Sequence, residues 1–122
     1  RHHKKGSIIN IASVEALTPG LGLGLYSTSK AAILMLTKNQ AKEWGHYGIR
    51  ANAICPGLIQ TKFSAALWTN EKLLNKVETT IPSSRMGQPE EMIGIACLLA
   101  SEAGSYMTGG VYTADGGYMI AG

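Results

Sequence analysis

Residues 20–30 read GLGLGLYSTSK, and two different sites overlap in them. Gly20, Gly22 and Gly24 precede a helical pattern, as the glycines of a phosphate-binding loop do. Tyr26 and Lys30 open that pattern four residues apart, which places them on one helix face. The glycine repeat fails the dinucleotide fingerprint G-x-G-x-x-G. Counted from Gly20 the third glycine falls on Leu25, and from Gly22 on Ser27. The repeat therefore reads as a pliable loop beside a site, where glycine permits close approach or a positive φ. The tyrosine–lysine pair suits acid–base work. A phenol titrates near 10 in isolation, too high for it to be a ready base at neutral pH, and a neighbouring ammonium favours the phenolate. Tyr26 is then a candidate proton donor and acceptor near neutral pH.

The surrounding chain places this helix in an α/β frame. Residues 7–12 (SIINIA) are short, apolar and rich in isoleucine, the pattern of a buried strand. Residues 14–25, with Pro19 and the glycines, read as a loop. From 26 to 44 apolar residues recur at helical spacing (Ala31, Ile33, Leu34, Met35, Leu36, Ala41), and Gly45 and Gly48 end the helix. Residues 49–54 (IRANAI) predict a second strand stopped by Pro56-Gly57. Residues 63–80 predict a broken helical pair with Asn70 as N-cap, and 81–88 a loop. Pro89-Glu90-Glu91 opens a helix running to about Ser101, with proline in its first turn and acids favoured by the helix dipole. Residues 111–114 form a third strand, bounded by Gly109-Gly110 and Asp115-Gly116-Gly117. The order β-α-β-α-α-β implies parallel strands joined by right-handed crossovers. A parallel sheet this narrow leaves an edge in need of a partner. Ser13 and Pro56-Gly57 both follow strands, so they and the Tyr26 helix meet at the carboxyl edge of the sheet, where ligands of such folds bind.

The 122 residues, 45% hydrophobic and 16% charged, suit one domain over 1–122. Part of the net charge of +3 lies in a lead-in, residues 1–6. Arg1, His2, His3, Lys4 and Lys5 are read as solvated rather than as a nucleic-acid arm. His2 and His3 have no companions at ligand spacing, so no metal is expected. No apolar run approaches the roughly 20 residues that span a bilayer, and neither a membrane segment nor a signal peptide is expected. Cys55 and Cys97 lack C-x-x-C spacing and read as two buried free thiols of a reducing, cytoplasmic protein.

Together, INIASVEALTPGLGLGLYSTSKAA, GIRANAICPGLIQT and TGGVYTADGG resemble the short-chain dehydrogenase/reductase family. Serine, Tyr-x-x-x-Lys, Asn-x-x-x-Pro-Gly and Asp-Gly-Gly occur in family order and spacing from about Gly6 to Gly117. PGLIQTKFSAALW and SRMGQPEEMIGIACLLASEAGSYMTGG are similar to the carbonyl- or retinol-reducing branch. The resemblance implies an NAD- or NADP-dependent oxidoreductase that interconverts a small-molecule carbonyl and an alcohol by hydride transfer. It implies that Ser13 holds the substrate oxygen, that Tyr26 is the general acid or base, and that Lys30 favours the phenolate and bonds the nicotinamide ribose. Pro56 and Gly57 would pack beside the nicotinamide, the Ile59 backbone would bond its carboxamide, and Thr61 would contact the carboxamide or pyrophosphate. Residues 62–82 match the substrate lid, in which Phe63, Leu67 and Trp68 either line an apolar pocket or pack on the core. Residues 83–122 would hold the last helix, strand and tail. The family's Thr-Gly-x-x-x-Gly-x-Gly loop, its cofactor-selecting residue, its Asn-Asn-Ala-Gly strand and its catalytic Asn have no counterpart in these residues. The expectation is therefore the C-terminal half of a Rossmann-like doubly wound parallel sheet, lacking the N-terminal dinucleotide-binding half. Such a chain would bind cofactor weakly or not at all by itself and self-associate through the 7–12 strand and the 26–44 helix as a homo-oligomer. The alternative is a folded remnant or oligomeric module without catalysis.

Overall fold

A computed structural model describes residues 5–121. The expectations resting on Arg1, His2, His3 and Lys4 lie outside the described residues. Strands β1 (Gly6–Ile11), β2 (Ile49–Pro56) and β3 (Val111–Ala114) form one parallel sheet in the order β1-β2-β3. Helix α1 (Gly24–Trp44) joins β1 to β2. Helices α2 (Ala65–Trp68), α3 (Glu71–Thr80) and α4 (Ile93–Ala100) lie between β2 and β3. The expected strands and helices occur in the expected order, with the broken helical pair of 63–80 observed as the two helices α2 and α3, and Asn70 caps α3 by accepting the Leu73 N–H at 3.2 Å.

β2 is central, and Ala51 through Cys55 are buried. A strand covered on both faces carries this kind of unbroken burial. Ala53 and Cys55 pack with Ala12 and with Leu34 of α1. Asn10 of β1 also reaches α1, donating to Thr37 Oγ1 at 2.8 Å and Gln40 Oε1 at 2.9 Å. Ser7, which alternates with them, donates instead to the Leu99 carbonyl of α4 at 2.7 Å. The sheet therefore carries α1 on one face and α4 on the other. Asn52 is fully buried and fully paired. Its amide donates to Met107 O at 2.7 Å and its oxygen accepts the Gly110 N–H at 3.0 Å, tying the turn before β3 to β2.

Two expectations need correction. Cys97 is exposed on α4, whereas Cys55 is buried. Every residue of α4, from Ile93 to Ala100, is apolar, but the sheet covers only one side of it, where Leu99 is fully buried. The apolar pattern of α1 is likewise only partly a core pattern. Leu34 and Thr37 are its buried residues, while Leu25, Met35 and Leu36 are 92%, 58% and 50% exposed. No helix among the described residues is long and apolar enough to cross a membrane.

Candidate active site

The three strands run in the same direction, so their carboxyl ends, at Ile11, Pro56 and Ala114, form one rim. Ser13 follows β1 and starts a 3-10 turn over Val14–Ala16, its Oγ accepting the Glu15 N–H at 3.1 Å. It is buried, and its hydroxyl proton stays available to donate. Burial pushes the nearby Cys55 thiol up, and a backbone hydrogen bond from Ser13 opposes that shift. The Glu15 carboxylate accepts from Ser27 Oγ at 3.3 Å, which ties the turn to the first turn of α1 beside Tyr26.

Tyr26 and Lys30 do share one face of α1, as their spacing requires. Lys30 Nζ lies 5.7 Å from the centroid of the Tyr26 ring and donates to Ile11 O at 3.3 Å. The last carbonyl of β1 thus holds the ammonium between the strand end and the phenol, within cation–π range of the ring. Phe63 stacks on the other partner of this pair, its centroid 6.3 Å from that of Tyr26 with the planes 26° apart. Phe63 lines no closed pocket: it is 86% exposed on the loop before α2.

Beyond β2, Pro56 pairs with Ala114, and the Gly57 N–H donates to Ala114 O at 3.0 Å. A Cβ at Gly57 would lie 2.6 Å from Asp115 Cα, so a side chain is excluded by the backbone just beyond β3. Ile59 bridges Gly87. The Gln60 N–H donates to Gly87 O and the Gly87 N–H to Leu58 O, both at 2.9 Å. The Ile59 peptide groups thereby face away from Gly87. Its carbonyl accepts Ser64 Oγ at 2.6 Å, and its N–H makes no hydrogen bond among the described residues. Thr61 is engaged by α2: its N–H donates to Ser64 Oγ at 3.0 Å and its carbonyl accepts the Trp68 indole N–H at 2.9 Å. Leu67 is half-buried on the same helix. Ser64 was not singled out in the sequence, although Thr61-x-x-Ser64 directly before α2 has the spacing of a helix-capping pair.

The residues that would hold a nicotinamide cofactor fit one end of it. Ile59 offers an unpaired N–H suited to an amide oxygen, and Gly57 keeps the adjoining rim open. The Gly20 repeat does not fit the phosphate end. Gly22 takes the left-handed conformation at φ 78°, as a loop turn would, while the Glu15 carboxylate lies against Gly20 and repels an anion there. A cavity of about 250 Å³ lined by Ile59, Ser83, Arg85, Glu91 and Asp115 includes none of Ser13, Tyr26 and Lys30. The chemistry-bearing groups lie on the open rim instead. On the wall of that cavity, Arg85 and Glu91 form an exposed ion pair at 2.6 Å.

Comparison with known proteins meets this geometry. Residues 1–119 match the profile of the enoyl-(acyl carrier protein) reductase family. The chain is 43% identical over 112 residues to dehydrogenase/reductase SDR family member 4 of Oryctolagus cuniculus, covering 92% of this chain and 43% of that protein. It superposes with a TM-score of 0.93 on a gluconate 5-dehydrogenase of Burkholderia cenocepacia J2315 solved with NADP and tartrate. That match has 35% identity and covers 97% of this chain and 46% of the other. A 4-hydroxyisoleucine dehydrogenase complexed with NADH gives a TM-score of 0.94 at 32% identity, covering 98% and 49%. The chain thus spans about half the length of the relatives it matches, and it belongs to the short-chain dehydrogenase/reductase family of oxidoreductases.

Proposed function

We propose that this chain carries the catalytic and nicotinamide-facing part of an NAD- or NADP-dependent enzyme that interconverts a small carbonyl compound and its alcohol. The observation that carries this reading is the Ile11–Lys30–Tyr26 arrangement, with the ammonium 3.3 Å from the strand carbonyl and 5.7 Å from the phenol centroid. Ser13 hydrogen-bonds the substrate oxygen. In reduction the Tyr26 hydroxyl gives its proton to that oxygen as the carbonyl becomes an alcohol, and in oxidation the phenolate takes it back. Lys30 supplies positive charge beside the phenolate and a donor for the cofactor ribose. When a nicotinamide cofactor is bound, the Ile59 N–H would bond its carboxamide, Pro56 and Gly57 would pack beside the ring, and Thr61 would contact the carboxamide or pyrophosphate. The chemistry such a cofactor would supply is hydride transfer to or from the substrate. Residues 62–82 close over the substrate, with Phe63 extending the apolar surface beside Tyr26 and with Leu67 and Trp68 behind it.

A second reading, a non-catalytic module that works by association, is favoured by one specific feature. Among the described residues the outer edge of β1 is unpaired, and Leu25, Met35 and Leu36 of the adjacent α1 are exposed. Both readings expect a homo-oligomer, and light scattering tests that point. The test between them is oxidation of NADPH and NADH by the chain with a panel of aldehydes and ketones. The enzyme reading expects turnover that Tyr26→Phe lowers about a hundredfold or more. Equal rates for the variant and the parent would refute the role of Tyr26, and absent turnover would favour the module.

A further inference from the structure

The loop that would face the cofactor and the helix that would cover the substrate are joined by side chains whose roles no motif assigns. Three hydrogen bonds close on each other between Ile59 and Trp68. Ser64 Oγ donates to Ile59 O at 2.6 Å, the Thr61 N–H donates to Ser64 Oγ at 3.0 Å, and Trp68 Nε1 donates to Thr61 O at 2.9 Å. The Ser64 N–H also faces Thr61 Oγ1 at 3.3 Å. α2 spans only Ala65–Trp68, too short to hold its own shape, since one turn of helix fixes several residues for little hydrogen bonding. Its place is set from outside, by the indole and by the Ser64 hydroxyl.

On the other side the Gly87 bridge holds Leu58 and Gln60. The loop is thus clamped from both sides, and the Ile59 N–H is left pointing into neither clamp. Phe63, between the two clamped ends, is the residue stacked on Tyr26.

We propose that Ser64 and Trp68 are positioning residues. They fix the backbone of residues 59–61 so that the Ile59 N–H is presented to a nicotinamide carboxamide, and they make α2 and this loop move as one unit. These hydrogen bonds exist in the chain without cofactor, and their consequence for cofactor binding rests on the oxidoreductase function proposed for this site. Trp68→Phe removes the N–H donor together with part of the indole's bulk, whereas Ser64→Ala removes a single hydroxyl, so an effect shared by both variants marks the hydrogen bonds and not packing alone.

The test is nuclear magnetic resonance of the 122-residue chain, whose two indoles, Trp44 and Trp68, are readily told apart by substitution. In the parent, the Trp68 indole proton should exchange with solvent about fivefold more slowly than that of Trp44, the protection expected of one net hydrogen bond. In Trp68→Phe and in Ser64→Ala, the amide resonances of Ile59, Gln60 and Thr61 should shift while those of Ala51–Cys55 stay in place. A titration with NADPH should then give a dissociation constant about fivefold higher in each variant than in the parent. Two variants, and a parent measurement that needs neither, keep the test open if one substitution fails to fold. An indole proton as exposed as that of Trp44, or unmoved amides at 59–61, would overturn the proposal. So would a variant that binds NADPH as the parent does. A parent that binds neither NADPH nor NADH would instead overturn the oxidoreductase reading, and the positioning of cofactor with it.

Discussion

Replacement of Gly57 by alanine tests the rim on which the site is built. A Cβ there would stand 2.6 Å from Asp115 Cα, 2.7 Å from Asp115 Cβ and 3.1 Å from Asp115 O. Carbon atoms rest about 3.5–4.0 Å apart, so roughly an ångström must be recovered. The obstacle is the backbone just beyond β3, and it cannot swing aside as a long side chain can. Either the Gly57 N–H leaves Ala114 O, now 3.0 Å away, or the carboxyl ends of β2 and β3 spread. Overpacking of this kind costs about 1–3 kcal/mol. Two other glycines of the site region serve as controls. Gly24 opens α1 with nothing within 4 Å of its Cβ position, so alanine there should stabilise the chain by up to about 1 kcal/mol through helix propensity. Gly22 is equally open but sits at φ 78°, so alanine there should cost about 1 kcal/mol by backbone strain alone. Urea unfolding followed by circular dichroism gives the three differences directly. The expected order of stability is Gly24→Ala, parent, Gly22→Ala, Gly57→Ala. A Gly57→Ala protein as stable as the parent would show that the β2 and β3 ends do not approach as described.

Asn52→Ala should cost about 1 kcal/mol or more, because it removes the acceptor of the Gly110 N–H and one of two donors to Met107 O, which keeps Arg50 Nη1 at 3.2 Å. A chemical-denaturation change below about 0.5 kcal/mol would mean that these groups find other partners. The acid limb of stability should depend on Glu91. The side-chain hydrogen bond from Arg85, aided by the Gln88 N–H, lowers its carboxyl from 4.5 to about 2. Its contribution is therefore full above pH 4.5 and fades as the pH falls through about 2. The pair is exposed, so the effect is small. Thermal scans of Glu91→Gln should run parallel to the parent above pH 5 and converge with it in stronger acid, and a constant offset down to pH 2 would refute the assignment.

Much of the frame was legible because its signals are local. The strand expected at 49–54 is stopped by Pro56-Gly57, α3 begins at a side-chain cap on Asn70, and Tyr26 and Lys30 share a face by helical geometry alone. Burial was less legible, because it depends on what lies across from a residue. Cys97 and Leu36 carry the same apolar signal as Leu99 and Leu34, yet the sheet covers only the second pair. Site contacts between distant residues were the least legible. The placement of Lys30 on the Ile11 carbonyl follows from how α1 crosses the end of β1, and the stacking of Phe63 on Tyr26 joins residues far apart in sequence. The Ser64 and Trp68 hydrogen bonds were missed for a different reason. They are made to backbone atoms, and a sequence records side chains.

Calorimetric titration of the purified chain with NADPH and with NADH bears most directly on the claim that this rim receives a nicotinamide cofactor. Saturable binding is expected, weak because the Glu15–Gly20 contact denies the glycine repeat a phosphate role. It should be lowered about tenfold by Lys30→Ala, the scale of one charged hydrogen bond. No heat from either cofactor at millimolar concentration, or equal affinity in parent and Lys30→Ala, would contradict the account.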